Sequence, residues 1–202
     1  MLPTLALTVA LVAELSTAAA ATCAALWPGA SSGVPAPQGR AFLVATAERT
    51  LGVYQAGALV QRTLATGETV PACFSVALGQ GGPTGPKRAQ GDLKTPEGNY
   101  RLTHRNPKSS YYKSLGVSYP NADDVRASLA LGVVTQTTAD TALAVIAKGS
   151  VPSQNPRMGG EIFIRGMGAA YDWTLGCIAV ENEVMDYLFE VGDPGTVVRI
   201  DP

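Results

Sequence analysis

Residues 40–200 alternate between short apolar runs and turns rich in glycine and proline, and this succession limits the fold more than any other feature. Short runs with alternating or continuous apolar character are typical of β-strands, and Gly, Asn and Pro between them favour turns. The predicted strands cover 41–46, 50–55, 58–66, 72–78, 100–103, 161–164 and 196–200. The segment between 79 and 96 holds five Gly and three Pro and is predicted to be a loop.

Three segments carry helical patterns instead. Residues 123–131 and 138–148 are each followed by a glycine, which is a common helix stop. Asn182 can cap a third helix, from Glu183 to about Val191. The helices form one insertion and one late element, so the order is not a βαβ alternation. The predicted fold class is mainly β with a few helices.

The first residues of the chain read as a secretory leader. Residues 2–21 are apolar and end in an alanine-rich stretch, although Glu14 interrupts the run. A membrane anchor is the rival interpretation, but the run is short for a membrane span. We therefore predict a signal peptide at 1–22, a linker rich in Pro, Gly and Ser at 23–39, and a folded domain at 40–202. The protein is expected to be exported to the periplasm or cell envelope, without a stable membrane span after processing.

Composition excludes several function classes. The formal net charge is −1, so no electrostatic case exists for binding nucleic acid or an anionic membrane surface. The glycines at 79–82 are not followed by Gly-Lys-Ser/Thr, which argues against a nucleotide loop. One histidine and scattered carboxylates form no metal-ligand pattern. We expect no metal and no cofactor.

The chain has three cysteines, and Cys177 is the candidate nucleophile. It follows Gly176 in the segment DWTLGCIAV (172–180), between a polar turn and an apolar run. A thiol in such a turn can attack a carbonyl, with nearby backbone N–H groups facing the developing oxyanion. Cys23 and Cys73 are then left over. They either pair in an oxidising compartment, or Cys73 is a buried small residue and Cys23 lies in a mobile tail.

Three segments together resemble the L,D-transpeptidase catalytic domain, the YkuD family. They are the Cys177 loop, the Thr-Pro-Glu-Gly turn at 95–98, and residues 115–121. The resemblance implies a β-sandwich-type domain that performs acyl transfer on peptidoglycan. Cys177 would attack the L,D-peptide bond of a tetrapeptide stem and release D-alanine, and an amine of a neighbouring stem would accept the acyl group. With water as the acceptor, the enzyme would be an L,D-carboxypeptidase.

The resemblance also assigns roles inside the Cys177 loop. Thr174 stands where the family has Ser or Thr, and its hydroxyl would order the loop. Gly176 and Cys177 would supply oxyanion-facing N–H groups. Leu175 and Ala179 replace a frequent His and a frequent Arg, which puts substrate contacts at those two positions in question.

The largest departure from the family lies on the preceding strand. The family has a His-Gly pair where this chain has Arg165-Gly166. A guanidinium stays protonated and cannot act as a general base, although its charge can stabilise a thiolate. Arg165 is therefore predicted to sit beside Cys177 as a charge partner, with Gly166 grouped among the substrate-binding or oxyanion residues.

Arg165 also supports a rival prediction. The chain would then be a catalytically degraded envelope protein that keeps the fold and binds peptidoglycan stem peptides. His104, the only histidine, is predicted to begin a polar loop after the 100–103 strand, with a solvated side chain.

Overall fold

The computed structural model describes Cys23 and residues 37–202. The predicted leader at 1–22 and most of the predicted linker lie outside these residues. Within the described part of the chain, no helix is long and apolar enough to cross a membrane.

The described residues form eleven strands and three helices. The strands are β1 (Arg40–Ala45), β2 (Thr50–Gln55), β3 (Ala58–Leu59), β4 (Gln61–Thr63), β5 (Thr69–Pro71), β6 (Cys73–Ser75), β7 (Gly98–Ser109), β8 (Tyr112–Val117), β9 (Phe163–Arg165), β10 (Ile178–Ala179) and β11 (Val197–Asp201). The helices are α1 (Ala122–Ala130), α2 (Gln136–Ala147) and α3 (Asn182–Val191). The mainly β prediction is confirmed.

Nine of these strands belong to one sheet, with the order β10-β9-β8-β7-β11-β1-β2-β3 and β6 attached to β2. Most neighbours are antiparallel, but β1 pairs with β11 and β10 pairs with β9 in parallel. β4 and β5 form a separate two-stranded sheet. The parallel β9–β10 pair positions Cys177, which directly precedes β10.

Two apolar clusters fill the described domain. The larger contains residues of β1, β2, β6 to β11 and α3, including Phe42, Leu115 and Met185, so the sheet and α3 enclose one core. The smaller joins α1 and α2 through Val125 and Ala139. The helical insertion is thus a satellite with its own core.

The hairpin of β7 and β8 departs from the prediction. β7 continues through residue 109, so His104 lies within a strand and does not begin a loop, and β8 was missed. The outer half of β7 is polar and largely exposed, so it lacks the buried alternating face that reveals a strand in a sequence.

Two further predictions needed correction. The predicted strand at 58–66 is divided into β3 and β4. Asn182 is the first residue of α3, and Glu181 occupies the N-cap without a side-chain capping bond. The Asn182 Oδ1 instead accepts a hydrogen bond from the Met167 N–H at 3.0 Å.

A disulfide joins Cys23 to Cys73, with their Cα atoms 5.7 Å apart. The Tyr54 hydroxyl donates a hydrogen bond to the Cys23 carbonyl. The structure thus favours the paired alternative for these two cysteines, while Cys177 remains a free thiol.

Candidate active site

Cys177 lies immediately before β10, in a loop held against the rest of the domain. Parallel pairing sets Ile178 opposite Ile164 and Ala179 opposite Arg165, so the strand that carries Arg165 runs beside the cysteine. Cys177 is half-buried and lines a cleft of about 810 Å³ together with Arg165. The two sequence-predicted residues are therefore brought to one site.

Thr174 organises the Cys177 loop from a fully buried position. Its Oγ1 donates to the Cys177 carbonyl at 2.7 Å and accepts from the Gly176 N–H at 3.1 Å. Its own N–H donates to the Leu78 carbonyl at 3.1 Å. One hydroxyl thus ties both ends of the tight turn that precedes the sulfur.

Gly176 is required by conformation and by space. Its φ is +133°, a region that L side chains rarely adopt, and a Cβ there would lie 2.7 Å from the Lys94 carbonyl oxygen. The turn at 95–98 belongs to the loop that supplies this carbonyl. Thr95 Oγ1 accepts the Gly79 N–H at 3.0 Å, which fastens that loop beside the Cys177 loop.

Asp92 holds the same supporting loop together. Its carboxylate accepts the N–H groups of Arg88, Ala89 and Lys94 and pairs with the buried Lys87 ammonium at 2.8 Å. Burial raises the pKa of Asp92, but these hydrogen bonds outweigh it and the pKa lies below its usual value. The loop is thus built around an ionised carboxylate.

The Cys177 sulfur has a backbone acceptor on one side and a backbone donor on the other. Its Sγ–H donates to the Glu161 carbonyl at 3.5 Å. The Phe163 N–H can donate to the sulfur when it is ionised. The thiol therefore has the Glu161 carbonyl as an acceptor, and the thiolate has the Phe163 N–H as a donor.

Burial dominates the ionisation of Cys177. It raises the pKa of the thiol above its usual value, while the positive charge of Arg165 and the Phe163 N–H lower it only in part. The nearby Glu161 carboxylate raises the pKa further. At neutral pH, the resting cysteine is mainly the thiol.

Arg165 is a buried cation that lies against two aromatic rings. Only 7% of the residue is exposed, and its guanidinium carbon lies 3.5 Å from the centre of the Tyr111 ring and 4.6 Å from that of Trp173. Within residues 37–202 it has no ion pair, and its buried Nε has no hydrogen-bond partner. Both rings lie within cation–π distance of the guanidinium and partly stabilise its charge.

Trp173 and Asp172 are fixed by their own contacts. The Trp173 indole N–H donates to the Gly168 carbonyl at 3.0 Å. The Asp172 carboxylate accepts from the Leu78 N–H and pairs with Arg49 at 2.8 Å. These contacts fix the loop that places the Trp173 ring against Arg165.

The sequence predicts oxyanion or substrate contacts at Gly166, Gly176 and Cys177. Their backbone N–H groups differ in whether they already donate a hydrogen bond within the protein. The Gly176 N–H is bonded to Thr174, and the Gly166 N–H donates to the Lys113 carbonyl at 3.3 Å within the sheet. A Cβ at Gly166 would meet Asn182 Oδ1 at 2.6 Å, so packing alone accounts for that glycine. Among the described residues, the Cys177 N–H has no acceptor.

His104 is not one of the residues that line the cleft. Its Nδ1 is 2.9 Å from Thr103 Oγ1, and its ring meets the Phe163 ring edge-on, with 5.9 Å between the ring centres. Neither contact joins it to the Cys177 sulfur. In the described part of the chain, no side-chain base is within hydrogen-bond distance of that sulfur.

Sequence reasoning missed Tyr111 and the backbone groups of Glu161 and Phe163. Tyr111 lies at the turn between β7 and β8, and only the pairing of β8 with β9 brings this turn over Arg165. No local motif marks such a contact. Within the described residues, no group of three or more His, Cys, Asp or Glu side chains could hold a metal ion.

Comparison with known proteins agrees with this architecture. The L,D-transpeptidase catalytic domain, YkuD, matches residues 39–200. A 45-residue segment is 47% identical to the putative L,D-transpeptidase YafK of Escherichia coli K12, covering 21% of this chain and 18% of that protein.

Solved structures are similar to this chain as well. The helical cell shape determining protein Pgp2 of Campylobacter jejuni has a TM-score of 0.50 at 23% identity, over 80% of this chain and 46% of that one. An L,D-transpeptidase of Xylanimonas cellulosilytica has a TM-score of 0.43 at 14% identity, over 83% and 64% of the two chains. The chain spans less than half of Pgp2. The match over residues 39–200 shows that the chain belongs to the L,D-transpeptidase catalytic-domain family.

Proposed function

We propose that this protein is a cysteine acyltransferase that acts on peptidoglycan stem peptides, with Cys177 as the nucleophile. The observation that carries the proposal is the position of the Cys177 sulfur. It lies in an open cleft, with a backbone N–H available to the ionised form and a cation close enough to favour that form. A buried structural cysteine would need neither the cleft nor the cation.

The reaction begins with loss of the thiol proton. In the resting thiol this proton points to the Glu161 carbonyl, and on ionisation it passes to water while the sulfur accepts the Phe163 N–H. The thiolate then attacks the carbonyl carbon of the L,D-peptide bond, and a carbon–sulfur bond forms. The oxyanion is offered the unused Cys177 N–H.

Breakdown of this intermediate breaks the carbon–nitrogen bond. The leaving amine of D-alanine takes a proton from water, and a thioester remains on Cys177. An amine of a second stem then attacks the thioester, loses a proton and releases the thiolate. Attack by water would give the carboxypeptidase outcome. Forming or exchanging cross-links thus needs no cofactor.

Arg165 limits the expected rate. Without a residue that exchanges protons at the sulfur, general acid–base assistance, typically about 10²–10⁴ in rate, is missing. The reactive thiolate is also a minor species at neutral pH, because burial raises the pKa of Cys177. The proposal is therefore a slow enzyme whose rate follows the thiolate fraction.

An alternative function without catalysis is favoured by two observations. The pKa of the Cys177 thiol is raised, and no side-chain base within residues 37–202 contacts its sulfur. In that alternative the protein binds stem peptides without turnover. The two functions differ in a covalent product, and intact-mass spectrometry can detect it.

The test is incubation of the exported protein with a disaccharide tetrapeptide. The enzyme should gain the mass of the donor minus D-alanine, and free D-alanine should appear. Cys177→Ala should show neither, while retaining its melting temperature. Tight binding of the donor by the wild-type protein, with no adduct and no D-alanine, would replace the enzyme with the binding protein.

We also propose export with cleavage before Cys23. The Cys23–Cys73 bond supports this, because it needs an oxidising compartment and a mature chain that retains Cys23. Mass spectrometry of the exported protein tests the proposal. A mature chain that still carries residues 2–11, or one that starts after Cys23, would contradict it.

A further inference from the structure

We propose that Arg165, which lies against Tyr111 and Trp173, is the receptor for a substrate carboxylate, namely the free terminal carboxylate next to the scissile amide. This inference rests on the proposed function and deepens it, because it assigns a substrate feature to a residue that stands where the family histidine is expected. Arg165 would then be a specificity residue that touches the substrate.

The first support is the missing counter-charge. Arg165 is 7% exposed and lacks an ion pair within the described residues, although a buried cation without a partner is costly. The rings of Tyr111 and Trp173 offset part of this cost through cation–π contact. A bound carboxylate would supply both a charge and acceptors.

The second support is the charge of the cleft lining. Its cations are Lys87, Lys108 and Arg165, and its carboxylate among the described residues is that of Glu161. Lys87 is already neutralised by Asp92 at 2.8 Å. Lys108 is exposed and solvated. Arg165 is therefore the buried cation of the cleft whose charge is not already paired.

The third support is geometry. A guanidinium carries its N–H donors in one plane, in an arrangement that fits the two oxygens of a carboxylate. Ser114 lies opposite Arg165 in the β8–β9 register, and both residues line the same cleft. The Arg165 Nε is buried and has no hydrogen-bond partner among the described residues, so the hydrogen-bonding capacity of this guanidinium is not fully used.

The position of such a carboxylate fits the reaction. In a stem that ends in D-alanine, the terminal carboxylate is separated from the scissile carbonyl only by the amide nitrogen and one Cα. A carboxylate at Arg165 would hold that amide in the cleft that Cys177 lines. A stem with an amidated or extended end would lose this contact.

Binding at Arg165 would also change the thiol. The charge of Arg165 favours the Cys177 thiolate, and a bound carboxylate would cancel that charge. A saturating carboxylate ligand should therefore slow alkylation of Cys177 near neutral pH, and the matched amide should not. A guanidinium that served the thiolate alone would show no such coupling.

The test uses the full mature chain with Cys177→Ala, so that turnover cannot occur and failure of the enzyme proposal does not affect it. The probes are acetyl-L-lysyl-D-alanine and its C-terminal amide. Fluorescence of Trp173, beside Arg165, reports binding after Trp27→Phe removes the other indole. The acid should bind about tenfold or more tightly than the amide, because hydrogen bonds to charged groups are among the strong ones.

Arg165→Gln should abolish the preference for the acid, while the matched surface change Arg101→Gln should keep it. If Arg165→Gln unfolds, as judged by circular dichroism, Arg165→Lys decides the matter, since it keeps the charge and loses the fork and should bind the acid several-fold less tightly. Equal binding of acid and amide by the Cys177→Ala chain would overturn the proposal. Loss of the preference in Lys108→Gln with retention in Arg165→Gln would also overturn it.

Discussion

The Thr174 hydroxyl donates to the carbonyl of Cys177 at 2.7 Å and receives the Gly176 N–H at 3.1 Å. A residue three positions before the candidate nucleophile thus fixes the turn that presents it. Thr174→Val keeps the shape and removes both bonds, leaving a buried N–H without a partner. We expect a loss of about 1–3 kcal/mol in the free energy of unfolding, measured with urea.

Thr174→Ser is the matched control, because it retains the hydroxyl and loses one methyl group. It should lose only about 1 kcal/mol. Equal losses in the two variants would mean that packing of the methyl group, and not the hydrogen bonds, holds the turn.

Gly176→Ala tests the second constraint on this loop. Its φ of +133° and the approach of Lys94 should together cost more than an ordinary left-handed glycine would. Gly132→Ala is the control, because Gly132 has φ +69° and open space where its Cβ would be. We expect about 1 kcal/mol of destabilisation for the control.

Gly176→Ala should lose at least twice as much as this control in urea unfolding, since its Cβ would meet backbone atoms. A smaller loss than that of Gly132→Ala would show that the contact with Lys94 relaxes freely.

The burial of Asp124 leads us to predict that its contribution to stability decreases as the pH rises through the acidic range. It is buried, caps α1 through the Asn121 N–H, and accepts the Tyr100 hydroxyl at 2.8 Å. Burial raises its pKa to about 6, whereas an unfolded Asp titrates near 3.9. The unfolded chain therefore releases the proton first, and the contribution of Asp124 to stability falls as the pH rises from about 4 to about 6.

The expected size is about 3 kcal/mol, because two pKa units correspond to that free energy. Asp124→Asn keeps an acceptor for both hydrogen bonds and cannot ionise. The difference in unfolding free energy between the two proteins should change with pH in this window and be flat above it. Parallel curves from pH 4 to 7 would show that Asp124 titrates normally.

Sequence reasoning was most successful where the signal is local. β2 coincides with its predicted span because its residues are almost continuously buried, and α1 and α2 begin within two residues of their predicted starts. The outer part of β7 was not predicted as a strand, because it is held by pairing with β8 and has no buried face that the sequence would reveal. The contact between Arg165 and Tyr111 was not predicted, because it depends on the turn at Tyr111, which lies far away in the sequence.

Cys177 and Arg165 give the sharpest prediction. Because burial raises the thiol pKa and no base within residues 37–202 contacts the sulfur, alkylation of Cys177 should increase about tenfold per pH unit across neutrality and level off above the ordinary thiol range. Arg165→Gln removes the favourable charge and should slow alkylation further. A fast reaction at pH 6 to 7 would contradict the raised pKa.

Arg165→His separates the enzyme from the binding protein. An imidazole can exchange protons near neutral pH, so D-alanine release from a tetrapeptide stem should rise if the rest of the site is competent, and adding Cys177→Ala should abolish it. The same change removes the proposed carboxylate receptor, so KM should increase while kcat increases. If the wild type and Arg165→His both bind the tetrapeptide stem but release no D-alanine and form no adduct, the protein is a stem-peptide binder. If the wild type is active and Arg165→His has a lower kcat, the arginine itself promotes the chemical step.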